Sequence, residues 1–252
     1  MYVLDIEKEL TDGEVVEDLQ CDGLKLVQRA GMYKFGLDSV LLANFTHAPT
    51  GSTIVELCAG SGVVSILLSS KTAASRIIGI EILDDFVKMA EKSIAINDLV
   101  GRVEMIHGDI KDVPQLFQKG DAGAVVVNPP YMKQNSGFRN NNTQMTIARH
   151  ETMCSLRDVV KAASYLLPTG GAFFMVHRPQ RLVDAFCLMR EYDIEPKYIM
   201  LVCPRQGQRP TMVLIEGRKS RGAELIFLEQ LYVYDESGRY ISQDRLEQLR
   251  KR

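Results

Sequence analysis

Nothing in these 252 residues has the form of a disulfide framework or a zinc clasp. The five cysteines (Cys21, Cys58, Cys154, Cys187 and Cys203) are odd in number, widely spaced and never in a C-x-x-C pair. Such usage suits a reducing, cytoplasmic setting and predicts no metal. No apolar run approaches the roughly 20 residues of a membrane span, so no membrane association is expected. The opening MYVLDIEKELTDGE is acidic and lacks the apolar core of a signal peptide. Internal repeats and low-complexity tracts are missing too. So is a strong charge of either sign: 30 Lys and Arg stand against 32 Asp and Glu, a net charge of −2. Such a chain is no polycation, and any contact with nucleic acid must come from a local patch. The remaining composition, 46% hydrophobic and 25% charged, is that of an ordinary globular protein with length for one large domain.

The most informative stretch is AGAVVVNPPYM, from Ala122 to Met132. Its apolar run does not alternate, as in a parallel strand buried on both faces. Pro129 and Pro130 stop it, because neither can donate to a sheet ladder. Each proline also holds the residue before it extended. The result is a rigid tip at the carboxyl end of a strand, where open α/β sheets bind their ligands. It offers the Asn128 side chain, the Pro129 carbonyl and the Tyr131 ring. Two acceptors and a stacking surface suit a planar group bearing an amino function. A turn that is rigid for packing alone is the competing reading.

Upstream, Glu14–Leu19 and Leu24–Gln28 flank a turn at Cys21-Asp22-Gly23 and read as a hairpin. A short helix over SVLLANF would take Asp38 or Ser39 as its N-cap. Thr53–Leu57 is a strand, Ala59-Gly60-Ser61-Gly62 a glycine turn and Val63–Leu68 a buried helix, together the first βα unit of a nucleotide-binding sheet. Ser65 stands where the dinucleotide fingerprint wants glycine. Arg76–Ile80 is a second strand closed by Glu81, whose spacing from the glycines suits a ribose-diol acceptor. A helix over Asp85–Asn97 would be capped by Asp84. A third strand, Val103–His107, leads to Asp109, which could accept from an adenine amino group or simply cap a turn.

Beyond Tyr131, about 20 residues show little periodicity, and loops of that length in compact domains are usually functional or disordered. No acidic residue occurs between Ala122 and His150, whereas Lys133, Arg139 and Arg149 are basic. A cationic flap at the rim of the site is one reading and a solvated loop the other. Leu156–Leu167 is helical, Ala172–His177 a fifth strand, and Pro179 opens a helix to Glu191. Lys197–Val202 and Thr211–Glu216 are joined by CPRQGQRP, too short for a crossover, so they should be antiparallel neighbours. Residues 178–221 hold nine Lys and Arg against five Asp and Glu. The end of the chain should form a turn at Asp235–Gly238, a short strand and a helical stub.

This succession resembles the class I S-adenosylmethionine-dependent methyltransferases over roughly residues 35–217. The motifs are the glycine turn, an acidic residue closing strand two, Asp after strand three and NPPY closing strand four. The resemblance implies an α/β, Rossmann-like sheet of seven strands, mostly parallel with the last antiparallel, and helices on both faces. It divides the chain into an amino-terminal extension (1–50), the methyltransferase domain (51–217) and a basic tail (218–252). It implies that Glu56, Gly60 and Gly62 surround the amino-acid part of S-adenosylmethionine, that Glu81 takes the ribose and that Asp109 takes the adenine. Asp38, Ala59, Ile82, Ile110 and Asn128 are further cofactor-binding candidates. Asn128, Pro129 and Tyr131 would be catalytic, and S-adenosylhomocysteine would be the product.

FGLDSVLLANF (35–45), ARHE (148–151), PRQGQRPTMVLIEGRK (204–219) and LYVYDESGRYISQD (231–244) are similar to segments of the bacterial tRNA-valine adenine-N6 methyltransferases. That implies a tRNA substrate, with Lys133, Arg139, Arg149 and Arg209 on the RNA. Protein glutamine-N5 methyltransferases resemble the catalytic part and use the same NPPY. They carry a helical amino-terminal domain, for which the residues before Thr53 leave little room. DNA adenine-N6 and guanine-N2 RNA methyltransferases are further alternatives. From other classes stand a nicotinamide oxidoreductase, weakened by Ser65 and NPPY, and a non-catalytic RNA-binding protein.

Overall fold

The computed structural model describes residues 10–29, 35–129 and 154–249. An antiparallel hairpin comes first, β1 (Glu14–Asp18) with β2 (Lys25–Arg29). Then follow α1 (Leu37–Phe45), β3 (Thr53–Leu57), α2 (Val63–Lys71), β4 (Arg76–Glu81), α3 (Asp84–Ile96) and β5 (Val103–His107). A 3-10 turn at Ile110–Asp112 and the short α4 (Val113–Leu116) precede β6 (Ala124–Val127). Next are α5 (Leu156–Leu166), β7 (Ala172–His177), a 3-10 turn at Pro179–Arg181, α6 (Leu182–Glu191), β8 (Ile194–Cys203) and β9 (Met212–Lys219). Two short strands, β10 (Ile226–Phe227) and β11 (Leu231–Tyr232), and α7 (Gln243–Gln248) end the described chain.

Seven strands lie in the order β5-β4-β3-β6-β7-β9-β8, parallel except for β9, which runs against both β7 and β8. This is the expected sheet. The two-residue strands β10 and β11 add to the outer side of β8, making nine. β11 lies in the tail where a short strand was expected, whereas β10 is too short to carry any periodicity in the sequence.

Alternation explains the uninterrupted apolar strands. Ala124 and Val126 of β6 pack into one core with α1 and α2, through Leu41, Leu42, Ile66 and Leu67. Val125 and Val127 pack into a second core with α5 and α6, through Val159, Ala163, Ala185 and Met189. Every β6 residue is fully buried, because both faces are covered by helices.

Strand order reverses between β3 and β6, and Leu57 pairs with Val127 there. The chain therefore leaves both strands side by side, the glycine turn from one and Asn128 from the other. Crevices at such reversal points are where doubly wound sheets bind ligands.

Two helix starts differ from expectation. α1 is capped by Gly36, and Asp38 and Ser39 lie buried within its first turn. α3 begins at Asp84 with Leu83 as N-cap and no capping side chain of its own. No described helix is long and apolar enough to cross a membrane.

Candidate active site

β3 ends at Leu57, and the chain turns through Cys58, Ala59, Gly60, Ser61 and Gly62 into α2. The Ala59 N–H still bonds to the Ile80 carbonyl of β4, at 3.0 Å, so the turn starts anchored to the sheet. Gly60 and Gly62 have φ of +55° and +76°, the left-handed region that glycine adopts without strain. Their surroundings separate their tasks. A Cβ at Gly62 would sit 3.0 Å from Ala90 Cβ of α3, so this glycine serves close packing. A Cβ at Gly60 would meet nothing within 4 Å, so this glycine faces open space.

Two buried carboxyl groups hold the turn. Glu81, 1% exposed at the end of β4, accepts the Gly60 N–H at 2.8 Å through Oε2 and the Leu83 N–H at 2.9 Å through Oε1. One side chain thus ties the glycine turn to the residue that precedes α3, whose start has no side-chain cap. Glu56, on β3, accepts through Oε2 from the Ser65 N–H at 2.8 Å and from the Ser65 hydroxyl. Burial pushes its carboxyl up to about 8, against the Ser65 hydrogen bonds and with help from the nearby Glu81 charge. Ser65 is therefore no failed glycine. It binds Glu56 in the first turn of α2, a job that glycine lacks the hydroxyl to do.

Asn128 and buried Pro129 follow β6. Asn128 Nδ2 donates to Ser39 Oγ, 89 residues away, at 3.2 Å. That contact brings the first turn of α1 against the tip, with the Asp38 carboxyl accepting the Ser39 N–H at 2.9 Å. Ile82 is half-buried, and its carbonyl lies 3.0 Å from His107 Nε2. Asp109 caps the turn after β5, Oδ1 accepting the Lys111 N–H at 2.9 Å, and buried Ile110 follows it.

The structure thus brings Asp38, Glu56, Ala59, Gly60, Gly62, Glu81, Ile82, Asp109, Ile110, Asn128 and Pro129 to one edge of the sheet, around the ends of β3 to β6. Arg209 is exposed on the β8–β9 connection, at the same edge but three strands from β6. Tyr131, Lys133, Arg139 and Arg149 lie outside the described residues. Among the described residues no three His, Cys, Asp or Glu side chains gather as metal ligands. Two participants, Ser39 and Ser65, were not expected at the site. The only local signal for either is a serine close to a helix start.

The TRM5/TYW2 methyltransferase domain matches residues 43–157. A tRNA1(Val) (adenine(37)-N6)-methyltransferase of Aeromonas hydrophila is 25% identical, with 82% of this chain and 85% of that protein covered. The Bacteroides fragilis protein of the same name is 27% identical, with 72% and 76% covered. Among solved structures, a predicted O-methyltransferase from Agrobacterium tumefaciens superposes with a TM-score of 0.68 at 20% identity, covering 84% of this chain and 96% of that one. Geranyl diphosphate C-methyltransferase from Streptomyces coelicolor, solved with S-adenosyl-L-homocysteine, gives 0.53 at 14% identity, covering 73% and 76%.

The reversal point, the antiparallel penultimate strand and the glycine turn define the class I methyltransferase fold. The chain has that fold, and the domain match and the relatives make it similar to S-adenosylmethionine-dependent methyltransferases. Within the class it is similar to the bacterial tRNA-valine adenine-N6 methyltransferases.

Proposed function

We propose that the protein methylates N6 of an adenine in tRNA, in the anticodon loop of tRNA-Val. The observation that carries this reading is the Asn128 amide, set at the end of β6 beside the glycine turn. With Nδ2 donating to Ser39, it presents Oδ1 as its acceptor. Oδ1 and the Pro129 carbonyl together match the two N–H donors of an exocyclic amine. An aromatic amine is a poor nucleophile because its lone pair is delocalised. Accepting both N–H groups favours a pyramidal nitrogen and aims that pair, a task of positioning and electrostatics.

The residues present fit the cofactor. Gly60 leaves open space where a side chain would intrude, and carboxyl groups stand on either side of the turn. Glu56, Gly60 and Gly62 would hold the amino-acid part, Glu81 the ribose and Asp109 the adenine, with Asp38, Ala59, Ile82 and Ile110 around them. When bound, S-adenosylmethionine supplies an electrophilic methyl on a cationic sulfur. The test is transfer of tritiated methyl to total tRNA, DNA and protein side by side, followed by nucleoside analysis. Label recovered as N6-methyladenosine from tRNA is the expected result. Label in glutamine or DNA, or none at all, would replace the reading with one of its rivals.

Glu56 gives this site a pH signature. With its carboxyl at about 8, the free protein holds this proton at neutral pH. A cationic ligand favours the carboxylate, so binding should release a proton. Affinity for S-adenosylmethionine should rise from about pH 6.5 to about 8.5 and then level off, as that proton's cost disappears. Calorimetry at neutral pH in buffers of different ionisation enthalpy reads the released proton directly, and Glu56→Gln should abolish the release. Stability should show the opposite trend. Between the ordinary value of 4.5 and about 8, the native state keeps a proton that the unfolded chain has lost, so stability falls as pH rises through this window. In Glu56→Gln that part of the slope should be missing.

A further inference from the structure

A second cluster lies on the same edge of the sheet, outside the methyl-transfer site. β8 runs parallel to β7, so the loop after Cys203 emerges where Asn128 does. β11 lies parallel to β8, and the chain leaves the sheet beside that loop, with Tyr234 N–H donating to the Pro204 carbonyl at 2.9 Å. A tight turn follows, closed from Gly238 N–H to the Asp235 carbonyl at 3.0 Å, and Tyr240 returns opposite Tyr234. The two rings meet edge to face with centroids 5.7 Å apart. Arg205 places its guanidinium 5.6 Å from the Tyr234 ring centre. Tyr234 and Tyr240 are 38% and 53% exposed, so both side chains remain partly open to solvent.

Charge points the same way. Five of the nine cations of residues 178–221 are already paired. Arg181, Arg190, Lys197, Arg218 and Lys219 pair with Asp184, Glu195, Glu224, Glu216 and Asp193. Arg205, Arg209 and Arg239 are exposed and make no ion pair among the described residues. Asp235 and Glu236 share the turn. Asp235 is turned onto it, accepting from the Ser237 hydroxyl at 2.6 Å and the Arg239 N–H at 2.9 Å. Three cations against two carboxylates make a weak field, so a ligand would be held by stacking, with the arginines fixing its backbone.

We propose that Arg205, Tyr234 and Tyr240, with Arg209 and Arg239 beside them, form a docking platform for an unstacked base and its flanking phosphates in the RNA substrate. This inference rests on the protein's acting on tRNA. From β6 to β8 are three strand steps of about 4.8 Å, so the platform begins roughly 14 Å from Asn128, a few nucleotides from a base presented there. Stacking of a base on an aromatic ring is tolerant of sequence. The platform would hold a loop in place and leave the choice of methylated base to the tip.

The test uses the full-length protein. Tyr234→Leu/Tyr240→Leu should raise KM for tRNA on the order of tenfold, the size of one base–ring stacking interaction. The rate at saturating tRNA and the affinity for S-adenosylmethionine should stay within twofold. The double Phe variant, which keeps both rings, should behave as wild type. Arg205→Ala, at an exposed position that threatens no packing, should raise KM and flatten its dependence on salt by about one unit for each phosphate it no longer neutralises. The platform is overturned if the Leu variant binds S-adenosylmethionine normally with KM within twofold, if the Phe variant is as impaired as the Leu variant, or if Arg205→Ala leaves KM unmoved. Action on tRNA fails separately, if the wild-type protein methylates no tRNA. Anisotropy with a fluorescent single-stranded RNA then decides the platform alone, by whether the Leu variant loses binding.

Discussion

Replacing Asn128 with alanine should lower the single-turnover rate of methyl transfer by about 10²–10³-fold, equivalent to about 2.7–4 kcal/mol. The loss falls on the rate because an acceptor that strengthens its bond as nitrogen pyramidalises stabilises the transition state more than the bound substrate. S-adenosylmethionine affinity should change little, and tRNA affinity less than the rate. If the prolines alone made the tip useful, the alanine variant would keep its activity, because Pro129 and Pro130 remain to hold the backbone extended. An alanine variant within about threefold of wild type, less than about 0.7 kcal/mol, would exclude the role assigned to this side chain. Asn128→Asp keeps an acceptor and should retain partial activity. The bond to Ser39 adds a second comparison. Ser39→Ala removes one bond that orients the amide and should cost about 0.5–1.5 kcal/mol, the worth of one neutral hydrogen bond. Combined with Asn128→Ala it should cost nothing more, because the group it positions is gone. Additive losses would mean that Ser39 acts elsewhere.

Glu81→Ala should weaken S-adenosylmethionine binding by about 1.5–3 kcal/mol, the range for hydrogen bonds to a charged group. The structure gives two routes to that loss. Glu81 would accept from the ribose diol, and it also holds the Gly60 and Leu83 N–H groups. Removing it strips both amides of their acceptor, so thermal stability should fall as well. A double cycle separates the routes. A deoxyribose analogue of the cofactor should bind wild-type protein more weakly, and Glu81→Ala should then cost little further. If the variant loses as much affinity for the analogue as for the natural cofactor, Glu81 serves only to shape the turn. Isothermal titration with both ligands measures all four corners.

Much of the scaffold was legible in the chain. The bounds of β3, β5 and β7 match the expected strands; β3 and β7 are short buried runs covered on both faces, and β5 is a half-buried strand at the sheet edge. The glycine turn and the Asn-Pro-Pro tip were legible for the same reason, since their conformations are imposed by the residues themselves. Helix starts were not. Neither α1, starting from Gly36, nor α3, starting from Leu83, has a side-chain cap, and Asp38 and Ser39 turn toward the site. A polar residue near a helix start can be drawn to other partners, which no local pattern reports. A short strand was expected in the tail, where β11 lies, but β10 was hidden, since its pairing depends on the edge of β8 and not on its own periodicity.

Charge misled in the same manner. Nine cations crowd residues 178–221, but five of them pair with carboxylates, and of the exposed arginines that do not, Arg205 lies against Tyr234. The chain by itself determined the strands, the sharp turns between them and the chemical kit of the tip, all properties of a few consecutive residues. Only the tertiary structure decided that Asn128 meets Ser39, that Ser65 holds Glu56 and that Glu81 joins two loops. The first follows from where α1 packs, the second from the fold of α2 back onto β3, and the third from the register of β3 beside β4, set over long range by burial of whole strands.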